Sequence, residues 1–239
     1  DTRNSGQLFA SIGLDKPLIS CHEHNEEEAS AKIVALLLAG KKVAYVSDAG
    51  YPSISDPGER LAKKCLSEGI KVAVINGPSA SLCALVGSGL DTSHYYFEGF
   101  LPAKESERNQ ELEELSSRKE TLIFYESPHR IAKTLTAMAK VLGEERKACL
   151  CRELTKIHEE YIRGSLGEIS SLPASTLLGE MVIVVEGNKE KPKDYSDADI
   201  QGFLKETLLT KKGKEAVKDV CDKYHLAKNR VYSLYLSLK

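Results

Sequence analysis

Much of what usually declares a protein's chemistry is missing from these 239 residues. No G-x-G-x-x-G follows a strand-like run, so a dinucleotide-binding Rossmann site is poorly supported. No G-x-x-x-x-G-K-[ST] occurs, which sets nucleotide hydrolysis aside. No H-E-x-x-H and no cysteine cluster suggests a metal site, and no G-x-S-x-G suggests a serine hydrolase. The six cysteines (Cys21, Cys65, Cys83, Cys149, Cys151 and Cys221) are scattered without a C-x-x-C. They read as small buried hydrophobes in a reducing cytoplasm rather than as a disulfide or zinc framework. The longest apolar run, residues 33–40, is far short of the ~20 residues that span a bilayer, and no stretch reads as a signal peptide. Residue 1 is Asp rather than Met.

What is present is ordinary in amount and uneven in place. Apolar residues make up 41% of the chain and charged residues 28%, enough for a packed core and too apolar for wholesale disorder. The length suits one large domain, or two modest ones with a tail. Net charge is −2, but residues 189–239 hold 12 of the 33 Lys and Arg and only 8 of the 35 Asp and Glu. A mildly basic tail on an acidic body fits contact with a polyanion, and equally a solvated helical face.

Helix and strand signals alternate. Asn25 with Glu28 resembles a capping box, and Ala29, Ile33, Leu36 and Leu37 follow at helical spacing until Gly40. Residues 43–46 and 70–75 read as strands. Asp56-Pro57 reads as a cap and first turn of a helix ending at Gly69, and residues 80–90 as a small-residue helix. A strand over 94–99 leads out of this block. Past Pro102 the alternation resumes, with helices over 105–117 and from Ser127 to Leu142, and strands over 121–125, 147–152 and 181–185. A further strand is expected at 161–163 and a short helix at 166–172. Such alternation predicts an α/β fold of two domains meeting near Phe100, 1–100 and 101–188, with largely parallel sheets. Residues 189–198 read as a charged linker. A helical module, 199–239, follows, with helices over 211–224 and 228–238 joined at His225-Leu226-Ala227. That pair resembles a helix-turn-helix.

The most informative stretch is VSDAGYPSISDPG, residues 46–58, a glycine- and proline-rich loop at the end of a strand-like run. In open α/β sheets ligands sit at such ends. With Gly77-Pro78-Ser79-Ala80 after the next strand-like run, it offers small residues, Ala49, Gly50 and Ala80, that let backbone approach a ligand. Ser79 at a helix start offers N–H groups to an anionic end, and Asp48 can accept hydrogen bonds from hydroxyl or amino groups. Asp56-Pro57, by contrast, is explained by helix capping alone. In the second block, Tyr125-Glu126-Ser127-Pro128-His129-Arg130 and Arg152-Glu153-Leu154-Thr155-Lys156 each set a carboxylate beside cations after a strand. They read either as salt-bridged strand ends or as a cationic rim for an anionic substrate. Lys104 reads as a hinge cation or an ordinary exposed lysine.

The ordered set VSDAGYPSISDPG, GPSASLCALVGSGL, YFEGFLPAK, TLIFYESPHR, RELTK and GEMVIVVEG, with Asp1-Thr2-Arg3 and His24-Asn25-Glu26, closely resembles the bacterial ribosomal RNA small subunit methyltransferase I family of the tetrapyrrole methylase superfamily. The resemblance implies two α/β domains of tetrapyrrole-methylase type with S-adenosylmethionine in the cleft between them. It implies a homodimer in the cytoplasm that methylates the ribose 2′-hydroxyl of a cytidine in 16S rRNA near the decoding centre, without metal. It implies cofactor contacts from residues 48–53 (Asp48, Ala49, Gly50, Ser53), from Pro78, Ser79 and Ala80, and from Leu154, Glu180 and Met181. Family members carry a strand and a Gly/Pro-rich loop ahead of the position of Asp1, so the first domain is expected to lack its first strand. For the chemistry, a lysine of lowered pKa or a carboxylate would take the hydroxyl proton, and Lys156 and Glu126 are the candidates. Arg3, Lys104, His129, Arg130 and Arg152 are candidates for phosphate and alkoxide contact, with Lys211, Lys212, Lys214, Lys228 and Arg230 in the tail. Two rivals stay open. One is a methyltransferase of the same superfamily for a small tetrapyrrole, against which the basic helical tail argues. The other is an RNA-binding fragment without turnover.

Overall fold

The structure, a computed structural model, describes residues 2–47, 50–189, 195–224 and 226–238. The chain divides into two units, Asp1–Asn188 and Lys189–Lys239. The first unit opens with α1 (Thr2–Ser11), α2 (Glu26–Leu38), α3 (Glu59–Ser67) and α4 (Ala80–Ser88). It continues with β1 (Tyr95–Phe100), α5 (Glu105–Leu115), β2 (Thr121–Glu126), α6 (Ile131–Leu142), β3 (Lys147–Arg152), β4 (Glu160–Ser165), α7 (Leu166–Ser170) and β5 (Met181–Val185). The strands form one sheet in the order β1-β2-β5-β3-β4. This is the α/β architecture expected, but the sheet is mixed rather than largely parallel. Only β1 and β2 pair in parallel; β5 runs antiparallel between β2 and β3, and β4 is antiparallel to β3. The reason lies in the connections. A parallel pair needs a crossover of a dozen or more residues, and only residues 153–159 join β3 to β4.

Alternation along the strands builds two cores, one on each face of the sheet. Leu122, Phe124, Ala148, Leu150, Ile183 and Val185 pack with Leu135 and Met138 of α6 and with Leu166 and Ile169 of α7. The intervening Ile123, Cys149, Cys151, Val182 and Val184 pack with Ala84 and Leu85 of α4. The all-apolar MVIVV of β5 is buried throughout because it is central and covered on both faces. A third cluster joins α2 to α3 through Ile33, Val34, Leu61 and Cys65.

Five local expectations fail in the first unit. Residues 41–47 and 70–79 form neither helix nor strand and join no ladder among the described residues, so the strands expected at 43–46 and 70–75 are absent. A strand persists only where a neighbour satisfies its backbone groups, and Val74 and Ile75 stand 75% and 86% exposed. The cap of α2 is not a capping box, since Asn25 Oδ1 accepts from the His22 N–H (2.8 Å). Helix α3 begins two residues past Pro57, at Glu59, because the buried Glu26 carboxylate accepts from the N–H groups of Gly58 (2.9 Å) and Arg60 (3.1 Å) and caps it from α2. Helix α6 likewise begins at Ile131, since Ser127 to Arg130 form a turn held from outside by Glu126.

The second unit packs α8 (Asp197–Leu208), α9 (Gly213–Tyr224) and α10 (Lys228–Leu236) around Ile200, Leu204, Val217, Val220 and Val231. Ser196 and Asp199 close a capping box on α8. Phe203 stacks on Tyr224 with ring centroids 3.9 Å apart. His225, in the expected turn, lies outside the described residues.

Candidate active site

A cavity of about 560 Å³ opens in the first unit where β2 ends and β5 begins, within the ~300–1,000 Å³ of small-molecule sites. One wall is Phe100, Tyr125 and Glu126 with the Ser127-Pro128 turn; a second is Leu154, Glu180, Met181 and Val182. The third comes from the irregular segments Tyr45–Ser47, Gly50–Tyr51 and Ile54–Pro57, and Ser79 and Ala80 complete it at the start of α4. Tyr125 meets Phe97 and Phe100 edge-to-face, at 5.0 and 5.7 Å between centroids, which fixes the aromatic wall.

The 50–58 loop is coiled tightly. Gly50, Ser53, Ser55 and Gly58 all hold positive φ (67°, 72°, 54° and 130°), a conformation costly for the two serines. Side chains hold it in place. The Tyr45 hydroxyl donates to Pro57 O (2.8 Å), and burial pushes its pKa up. The Tyr51 hydroxyl bonds Asn76 Oδ1 and accepts from the Gly77 N–H (3.0 Å), tying this loop to the approach to α4. Ser79 is the N-cap of α4, but its side chain makes no cap bond and lies 3.0 Å from Ser81 Oγ. The first turn of α4 thus faces the cavity without a side-chain acceptor of its own.

Opposite, the loops 153–159 and 171–180 are cross-tied. Glu153 N–H donates to Glu180 O (2.9 Å), and Glu180 N–H donates back to Glu153 Oε1 (2.7 Å). Gly179 (φ 86°) is required there, since a Cβ would lie 2.5 Å from Glu153 Oε1. Lys156 Nζ bonds both Glu180 Oε2 (3.0 Å) and Glu153 Oε1 (3.1 Å). Those two carboxylates, Glu180 foremost, raise the Lys156 pKa above its ordinary value. The Glu180 backbone and then Lys156 hold that of Glu153 below the carboxylate range. The shift is opposite in direction to the lowered pKa expected of a lysine base.

Glu126 is also committed. Buried at 3% exposure, it accepts from Ser127 N–H (2.8 Å) and Thr134 Oγ1–H (2.7 Å) and pairs with Arg130 Nη2 at 3.2 Å. Arg130 Nη2 also donates to Leu101 O (2.5 Å). These bonds hold the strand end and the turn, and they occupy both oxygens of the carboxylate.

The structure brings Gly50, Ser79, Ala80, Glu126, Leu154, Glu180 and Met181 together around the cavity. Ser53 and Pro78 are not among its lining residues; Ser53 turns back against Gly58. Asp48 and Ala49 lie outside the described residues. Arg152 sits beside the rim, bonded to Leu178 O (3.2 Å) and paired with Glu160. His129 is exposed on the turn. Arg3 is exposed on α1, and Lys104 pairs with Glu107 (2.9 Å) at the start of α5; neither lines the cavity. In the second unit Lys211, in the turn before α9, pairs with Asp219 of α9, Arg230 of α10 pairs with Asp197 of α8, and Lys212, Lys214 and Lys228 are exposed. Sequence reasoning reached Tyr51 and Tyr125 only as members of their motifs, and it missed Tyr45, which flanks the Gly/Pro loop, and Phe100, which ends β1, as lining residues. It also took Asp56 for a cap, whereas Asp56 lines the cavity.

The family model of Tetrapyrrole (Corrin/Porphyrin) Methylases matches residues 11–170. The chain is 41% identical to the Ribosomal RNA small subunit methyltransferase I of Halalkalibacterium halodurans, over 98% of this chain and 83% of that protein. It is 39% identical to the protein of the same name from Bacillus subtilis, over 98% of this chain and 82% of that one. Among solved structures the fold is similar to the methyltransferase CobJ (TM-score 0.54, 16% identity, 70% of this chain and 73% of that one). It is also similar to the cobalt precorrin-4 methyltransferase CbiF (TM-score 0.53, 16% identity, 73% and 77%). At such identities these two carry the fold alone.

Proposed function

This chain belongs to the ribosomal RNA small subunit methyltransferase I family of the tetrapyrrole methylases, and from that membership we propose that it transfers the methyl group of S-adenosylmethionine to the ribose 2′-hydroxyl of a cytidine in 16S rRNA. The observation that carries the proposal is one cavity in which the uncapped N-terminus of α4, at Ser79 and Ala80, meets apolar and aromatic walls from Phe100, Tyr125, Leu154 and Val182.

The residues present fit the cofactor. Ser79 and Ala80 offer helix N–H groups to a carboxylate end. Phe100, Tyr125, Leu154 and Val182 offer apolar surface to a flat base and a thioether. Gly50 brings backbone to the same space without a side chain. When bound, S-adenosylmethionine supplies an electrophilic methyl group on a sulfonium that departs as a neutral thioether. The protein's task is alignment, and holding two reactants in line contributes ~7–11 kcal/mol. In this reading Lys156, tied to the lining residue Glu180, supplies positive charge near the 2′-oxygen as it acquires negative charge, and the hydroxyl proton passes to solvent water. Glu126 and Arg130 hold the wall against which the nucleoside rests. The exposed lysines of the second unit add charge for the RNA backbone. The same reading includes a homodimer and a cytoplasmic location; sedimentation tests the first. Among the described residues no helix is long and apolar enough to cross a membrane, and no group of three or more metal-ligating side chains gathers.

The test is calorimetric titration of S-adenosylmethionine, followed by mapping of methylated riboses on 30S subunits by mass spectrometry. Micromolar binding and one methylated cytidine are expected. Failure to bind the cofactor would sink the proposal.

A further inference from the structure

Ile157 is 97% exposed, more than any other large apolar side chain among the described residues. It does not sit on a loose tip. Glu153 and Thr155, two residues with side chains, hold left-handed backbone at φ 47° and 67°. Thr155 N–H donates to Glu159 Oε2 (2.6 Å), Lys156 N–H to Glu153 O (3.0 Å) and Glu159 N–H to Lys156 O (3.1 Å). Strain of this kind persists only where surroundings over-determine it, and it concentrates at functional sites. The loop is thus a rigid mount that pushes one aliphatic side chain wholly into water. Its neighbours fix what that side chain meets. Leu154, three residues before, lines the cavity, and Lys156, directly before, is paired with Glu180, which lines it too. The loop tied to it through Glu180 and Arg152 carries a second exposed aliphatic, Leu178, at 57%.

A single exposed aliphatic is unremarkable on most surfaces. Here it stands one residue from the charge proposed to face the reacting ribose. A structured RNA that delivers a ribose into a recessed cavity must open its base stack beside that nucleotide. Proteins that open stacks do so with an aliphatic wedge beside cations that hold the backbone. Resting on the rRNA methyltransferase reading, we infer that Ile157 is the wedge: it enters the stack next to the target nucleotide and fills the gap left as that nucleotide turns towards the cavity. Ile157 is then a positioning residue, acting on the RNA and not on the methyl group.

The experiment uses the full chain with 30S subunits and S-adenosylmethionine, comparing Ile157→Ser, Ile157→Leu and the control Leu66→Ser, a 62% exposed aliphatic on α3. The single-turnover rate at saturating 30S is expected to fall at least tenfold in Ile157→Ser, with cofactor affinity and melting temperature unchanged. Ile157→Leu should retain most of the rate and Leu66→Ser all of it. A wild-type rate in Ile157→Ser overturns the inference. So does a rise in KM alone, which would make Ile157 a docking contact. A wild-type chain that binds the cofactor but leaves 30S unmethylated would overturn the rRNA reading, and the wedge with it.

Discussion

Glu180 and Glu153 both bond the Lys156 ammonium and push its pKa further above the neutral range. The sign of the pH dependence follows. A raised lysine pKa gives stabilisation that is complete below the unfolded value of ~10.4 and is lost as pH rises through the folded one; a lowered carboxylate pKa gives stabilisation present above ~4.3 and lost as pH falls through its folded value. The Lys156–Glu153 pair therefore stays charged from mildly acid to well alkaline solution. We expect the single-turnover rate to show no ionisation of Lys156 between about pH 6 and about pH 9; an inflection there that vanishes in Lys156→Met would restore the lysine-base model. Lys156→Met should slow methyl transfer by about 10²-fold with cofactor affinity kept, and Lys156→Arg should recover part of the loss. Glu126 belongs to stability instead. Glu126→Ala leaves Arg130 and the Thr134 hydroxyl without their shared acceptor, and urea denaturation should show a loss of about 3–5 kcal/mol.

Among elements, the 50–58 loop and helix α3 act together. Glu26 of α2 caps α3, and Gly58 at the join has no room for a side chain: a Cβ would lie 2.6 Å from both Ser53 Oγ and the Tyr45 ring. Gly58→Ala should cost about 1–3 kcal/mol and weaken cofactor binding roughly tenfold, about 1.4 kcal/mol, by displacing Tyr45 from the cavity wall. Gly50→Ala is the contrast. Its Cβ meets open space, so only its φ of 67° resists, and a stability loss of about 1–2 kcal/mol, that of left-handed backbone alone, is expected. Equal losses in calorimetry and denaturation for both variants would show that backbone conformation, not the packing of Tyr45, sets the loop. The sheet was partly open to reading. The bounds of β3 and β5 follow from their apolar runs, but the antiparallel course of β5 rests on which strand it lies beside, which no run of residues encodes.

For the whole molecule, all residues lining the cavity lie in the first unit, which has its own cores on both faces of the sheet. Removing residues 196–239 should therefore leave S-adenosylmethionine affinity within twofold and cut methylation of 30S at least tenfold, if the second unit supplies RNA contacts. Methylation as efficient as that of the full chain would remove those lysines from the RNA interface. RNA affinity should fall steeply with salt, by ~0.7–0.9 in log–log slope per phosphate neutralised. Lys211 and Arg230 contribute least to that slope, because Asp219 and Asp197 already engage them.

The sequence by itself determined the α/β class, the helical second unit and the loops from which the cavity is built. Each depends on periodicity, on Gly and Pro placement, or on motif order, all of which are properties of neighbouring residues. What surrounds each charged group came only with the fold. Glu26 reads as one more acid on a helix until α3 is set against it, and Glu126 as a strand-end carboxylate until Thr134 and Arg130 surround it. Lys156 reads as a lysine of lowered pKa until Glu180, 24 positions away, meets its ammonium. Proton affinity depends on charges and donors within a few ångströms, and the residues that supply them are brought that near by folding, not by their order in the chain.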